Sequence, residues 1–229
     1  MKKALFFGIC LIAFLDLNSQ TVFNPNVAIK PIATLSVYKV ELTDSVTNVT
    51  VRIRNEKSLP PFTLKNRNLI IRQSGDGKDL KLIRSDRVPF YPDTKVFTTP
   101  NEIFDFTLTF EPLPRDTKYF DIVHTVKDNE FYIQGIILDP EMNRLVTKGF
   151  NDFTKGDREG ALEAFIALAN KDLYFEYGMA YFNIIYIYTL TDRWKEAQEW
   201  YDKFKERYFN DKQLLEKQLE RLGIKQNLK

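Results

Sequence analysis

The chain reads as an antiparallel β-sandwich followed by a domain of stacked helices, and three observations carry that expectation. Runs of alternating polarity fill the first half, the apolar period changes after Asp139-Pro140, and one short pattern is written twice in the second half. The copies are Gly156-Asp157-Arg158-Glu159-Gly160-Ala161 with Phe165 behind it, and Asp192-Arg193-Trp194-Lys195-Glu196-Ala197 with Tyr201 behind it. A small residue at a helix crossing, a large ring one turn later and a spacing close to roughly 34 residues are the arithmetic of helix-turn-helix arrays.

Length and composition set the frame. The 229 residues are 44% hydrophobic and 28% charged, which gives room for one or two domains with real cores. Residues 1–19 read as a signal peptide: Lys2 and Lys3 precede an apolar run from Ala4 to Leu15, Asp16 stops it, and Ser19 supplies the small residue before the cut. That run is shorter than the roughly 20 residues a membrane-spanning helix needs. The expected mature chain starts at Gln20, is exported to the periplasm or the cell surface, and has no membrane span once the signal is removed. Cys10 is the only cysteine, so that mature chain has no thiol for disulfides, catalysis or metal. Lys and Arg number 33 against 31 Asp and Glu, with no basic half to neutralise phosphates, which argues against nucleic acid as a partner.

The elements follow in order. Residues 20–32 carry prolines and asparagines without a period and read as an extended leader. Residues 33–140 are the expected sandwich. Ala33 to Thr43 opens it, and from Val46 to Arg54 the residues Val49, Val51 and Ile53 take one face. A loop with Pro60-Pro61 follows, then Leu69 to Arg72, a turn at Gly75-Asp76-Gly77, and Leu80 to Ile83 as its hairpin mate. In the clearest strand Phe104, Phe106, Leu108 and Phe110 alternate with polar residues, each contributing about 1.5–3 kcal/mol if fully buried. Tyr119 to Val126 and Glu130 to Leu138 complete about seven strands, the count of an immunoglobulin-like sandwich. Residues 141–229 are expected to be helical: Glu141 to Phe153, Asp157 to Asn170, Leu173 to Leu190, Asp192 to Tyr208 and Asp211 to Leu222, with Gly223-Ile224 as the final stop.

Two resemblances add to this. The stretch from Gly156 to Tyr208 resembles the tetratricopeptide repeat, with Gly149, Gly156, Ala161 and Phe165 matching in one copy and Tyr181, Tyr188, Ala197 and Tyr201 in the next. It departs from that pattern at Tyr174 and Phe175, where proline is common, and at Ile185, where a small residue is usual. Residues 106–123, FTLTFEPLPRDTKYFDIV, are similar to a segment of secreted Bacteroidota proteins with an N-terminal immunoglobulin-like domain, a similarity that implies no activity. The repeat resemblance implies a concave partner-binding groove. It places Asn143, Val146, Phe150 and Phe153 there from one repeat, and Met179, Phe182, Asn183 and Tyr186 from the next.

Each candidate has a plainer reading. The rings from Tyr174 to Tyr188 wrap their helix instead of forming one stripe, which is first a sign of core packing. Trp200 is a candidate interface anchor, or else packs on the C-terminal helix or the sandwich. His124, the only histidine, has no second histidine for a metal or catalytic pair and reads as a half-exposed strand residue. Asp105 and Asp121 read as solvent-face residues, not as an acid pair. No catalytic residue, metal site or cofactor is expected. The expected function is a secreted, noncatalytic adaptor or scaffold that binds other envelope proteins through its helices. The alternative is a carbohydrate-binding module using Tyr91, Tyr119 and Tyr132.

Overall fold

The computed structural model of the chain describes residues 19–56, 58–73, 78–125, 131–171, 177–208 and 211–228. The signal-peptide reading of residues 1–18, the Gly75-Asp76-Gly77 turn and the positions of Tyr174 and Phe175 lie outside the described residues. Eight strands come first: β1 Gln20–Phe23, β2 Leu35–Leu42, β3 Thr47–Arg54, β4 Leu69–Gln73, β5 Leu80–Asp86, β6 Ile103–Phe110, β7 Tyr119–His124 and β8 Ile133–Ile137. Five helices follow: α1 Pro140–Lys155, α2 Arg158–Lys171, α3 Gly178–Leu190, α4 Trp194–Glu206 and α5 Lys212–Arg221.

The expectation of an immunoglobulin-like sandwich joined to a separate repeat domain is overturned. The strands form one curled antiparallel sheet in the order β1-β2-β3-β6-β5-β4-β7-β8. The hinge of the curl is β5, whose start pairs with β4 at Ile71↔Leu80 and whose remainder pairs with β6 from Leu82↔Phe110 to Asp86↔Thr107. Alternation in sequence reports which face of a strand is buried and not which neighbour it bonds, so a strand shared between two halves is invisible to it. The spine is β6, where Phe104, Phe106, Leu108 and Phe110 are all buried against β3 through pairs such as Val51↔Phe106.

Residues 20–32 are also more than a leader. β1 pairs along β2 at one edge of the sheet, and a few residues on the chain runs beside β8 at the other edge. Ala28 and Ile29 donate to the Gln134 carbonyl at 3.0 and 3.1 Å, and Ile137 donates to the Asn26 carbonyl at 3.0 Å. One short stretch therefore laces both edges of the curl. Gly135 makes this approach feasible: it sits at φ +66°, and a Cβ there would lie 2.7 Å from the Ala28 Cβ.

Nor do the five helices stand apart as a repeat domain. Their core takes in Ile137 of β8 and packs against Ala28 and Tyr119, so it is continuous with the sheet edge. The entry to α1 is fixed by Asp139, whose carboxylate accepts the Met142 N–H at 2.8 Å, with Pro140 in the first turn where no donor is needed. Gly156 ends α1 in the left-handed region at φ 86°. α1 then lies against α2, where Gly149 faces the ring of Phe165 and Ala161 is fully buried.

Candidate functional site

Three places on this frame have the shape of a site. The first is the ring-lined face shared by α1 and α3. On α3, Met179, Phe182, Asn183 and Tyr186 share a face because they are three and four residues apart. Phe182 stacks on Tyr186 at 6.1 Å, and Tyr186 meets Phe153 of α1 at 6.0 Å, so the rings are continuous from one helix to the other. Phe150 lies a turn before Phe153, is 41% exposed, and meets Phe165 of α2 edge-on at 5.3 Å. Met179 and Tyr186 are partly buried and Phe182 is buried. The Asn183 side-chain nitrogen is buried with no hydrogen-bond partner among the described residues.

Asn143, assigned to the same groove from sequence, is elsewhere. Its Oδ1 accepts the Asn26 main-chain N–H at 2.7 Å, and its own Nδ2 donates to the Ile137 carbonyl at 2.7 Å. The Asn26 amide in turn donates to the Asn143 carbonyl at 3.1 Å and to the Thr147 hydroxyl at 3.1 Å. Asn143 is thus a clasp between α1, β8 and the N-terminal stretch. Trp200 is corrected as an exposed anchor too: it is 7% exposed, packed edge-on against Tyr181 at 5.5 Å with the Lys203 ammonium over its ring. Of the two tryptophans, Trp194 is the more exposed.

The second place is an open cleft of about 720 Å³ between β1 and α1. Phe23 and Asn24 line it from the sheet side, and Arg144, Lys148, Asp152 and Lys155 from the helix. Arg144 is paired with Glu141 at 2.7 Å and Lys148 with Asp152. The hydrogen bond to Glu141 raises the Arg144 pKa, and the hydrogen bond to Asp152 raises that of Lys148, so both stay charged. Phe23 is 60% exposed and touches only the edge of Tyr38 among the ring contacts described.

The third is a cavity of about 310 Å³ walled by Phe62, Leu64, Phe131 and Ile32, with His124 on its lining. Burial lowers the His124 pKa, opposed by a hydrogen bond to the Asn68 main chain, so the site favours the neutral ring. Its Nδ1 is closed off without a partner among the described residues. Sequence gave no sign of this, because the wall comes from loops whose contacts are distant in the chain.

The remaining sequence candidates do not converge. Asp105 is held by Arg52 through two 2.8 Å contacts on the outer face of the sheet. Asp121 is not a solvent-face residue: burial raises its pKa, and it accepts the Gly135 N–H at 2.6 Å. β6 and β7 are separated by β5 and β4, so the two carboxylates share no cleft by adjacency. Tyr91 is 73% exposed on the β5–β6 connection while Tyr119 packs on the helical core, so these rings make no common platform. Among the described residues there is no group of three or more metal-ligating side chains, and no helix long and apolar enough to cross a membrane. In comparisons with known proteins, no family model, curated protein or solved structure matches the chain.

Proposed function

We propose that the chain is a noncatalytic adaptor of the cell envelope that binds a partner protein on the ring-lined face shared by α1 and α3. The observation that carries this reading is the run of touching rings, Phe153, Tyr186 and Phe182, with the exposed Phe150 one turn before Phe153 on α1. Aromatic and methionine side chains held on rigid helices give large contact area with little entropy left to lose, which is the composition of interface centres. The unpartnered Asn183 amide beside them is a donor that rotation of one side chain would offer to a partner's carbonyl. The export part of the proposal is supported by the basic start and short apolar run of residues 2–15.

The test is affinity capture from an envelope extract with the wild-type protein and with Phe150→Ser/Tyr186→Ala. The double variant is expected to lose most of the captured partner while keeping the wild-type circular dichroism and a cooperative melt. Equal recovery of the same proteins by both would sink the helical-face assignment.

A further inference from the structure

Among the described residues no strand pairs with the outer side of β1, the edge of the sheet, and the phase of its ladder can be read from one bond. Asn24 donates to the Tyr38 carbonyl at 2.9 Å, and the register places Phe23 opposite Lys39, so Asn24 and Tyr38 face each other as a hydrogen-bonded pair. In an antiparallel ladder such pairs alternate. Val22 opposite Val40 and Gln20 opposite Leu42 are therefore bonded to β2, whereas Thr21 and Phe23 turn their N–H and C=O groups away from it. Both of those residues are exposed.

Edge strands of this kind are normally blunted by lysine, proline, a bulge or a covering element. The sequence Gln20-Thr21-Val22-Phe23 has none of those residues, and the β1–β2 register runs without a shift. What faces the edge is the open cleft, with α1 as its far wall. The cleft presents the β1 residues Thr21, Val22 and Phe23 on one side, and on the other Asn151, Lys155 and Arg144 to hold polar groups. Its charged lining is three cations, Arg144, Lys148 and Lys155, to one anion, Asp152. Lys148 and Arg144 are already paired, while no ion pair involves Lys155 among the described contacts.

We infer that β1 accepts an extended, acidic segment of a partner protein as a ninth strand lying in the cleft between β1 and α1. Main-chain bonds to Thr21 and Phe23 supply the affinity, Phe23 covers one side chain of the incoming strand, and Lys155 selects a carboxylate at its end. This site is independent of the α1–α3 face and stands or falls separately from it.

The probe is the peptide acetyl-Glu-Thr-Val-Thr-Val-Thr-amide, titrated into the full-length protein and followed by amide NMR. Saturable shifts at Thr21, Phe23 and the cleft face of α1 are expected, with affinity falling as salt is raised. Thr21→Pro removes an outward N–H and leaves the β1–β2 bonds in place, so it should weaken binding roughly ten-fold or more with the melting temperature little changed. If that variant is unstable, Lys155→Glu is the second arm and should weaken this peptide while the otherwise identical peptide with Lys in place of Glu gains. The inference is overturned by the absence of saturable shifts at ~1 mM peptide, the range of the weakest specific complexes. It is equally overturned by Thr21→Pro binding as wild type does, by shifts confined to Phe150 and Tyr186, or by the free protein dimerising through β1.

Discussion

Asp211 is the residue whose chemistry fits its surroundings least. It precedes α5, is 5% exposed, and neither carboxylate oxygen has a hydrogen-bond partner among the described residues. Burial pushes its pKa up to about 6, and the smaller opposing pull is that of its own main-chain N–H. Nearby Tyr177 is raised well above the usual tyrosine range, first by burial and then by the Asp211 charge. The sign of the linkage follows: the folded state holds the proton more tightly than the unfolded one, so folding is helped below pH 3.8 and loses that help as pH rises towards 6. Asp211→Asn should therefore stabilise the protein by about 3 kcal/mol at pH 8, the equivalent of roughly two pKa units, and should change nothing at pH 3. Urea unfolding at both pH values measures this, and a variant no more stable at pH 8 would show that the carboxylate is solvated. None of it was legible in the sequence, where Asp211 reads as an ordinary helix cap. Asn143 was misplaced for a related reason: its partners, Asn26 and Ile137, are brought to it only by the lacing of the sheet edges.

At the scale of elements, more was legible. The alternation of β3 and β6 and the ends of α1 rest on local chemistry, since strand polarity, the Asp139 cap, Pro140 and Gly156 all act within a few residues of themselves. β1 was missed because four residues carry too little alternation to separate a strand from an extended leader. The crossing of α1 and α2 was anticipated through Gly149 and Ala161, and it makes a sharp prediction. A Cβ at Gly149 would lie 2.7 Å from two carbons of the Phe165 ring, closer than any unstrained contact. Helix propensity alone favours alanine over glycine by about 1 kcal/mol, yet overpacking of a filled core costs about 1–3 kcal/mol. Gly149→Ala should thus be destabilising despite the better helix former, and paired Phe165→Leu should recover part of the loss. A stabilised Gly149→Ala would mean that the ring moves aside freely.

For the whole molecule the question is whether sheet and helices fold together. They are joined by a continuous core at Ile137, Ala28 and Tyr119, and by the Asn26–Asn143 clasp, which ties the first described strand region to the first helix. Breaking that clasp removes the acceptor of the Asn26 N–H and a donor to the Ile137 carbonyl, groups that would then lie at a closed junction. Asn143→Ala should lower stability by about 1–3 kcal/mol, the cost of leaving such groups unmet. Both tryptophans, Trp194 and Trp200, lie on α4, so their fluorescence reports the helices alone, while hydrogen exchange at the β3–β6 amides reports the centre of the sheet. If the junction couples the two parts, wild-type fluorescence and exchange at β3–β6 should give the same unfolding free energy, and Asn143→Ala should shift both together. A helical transition that moved in Asn143→Ala while the β3–β6 amides kept their protection would mean that the sheet stands without the helices, and that the junction does not couple the two parts.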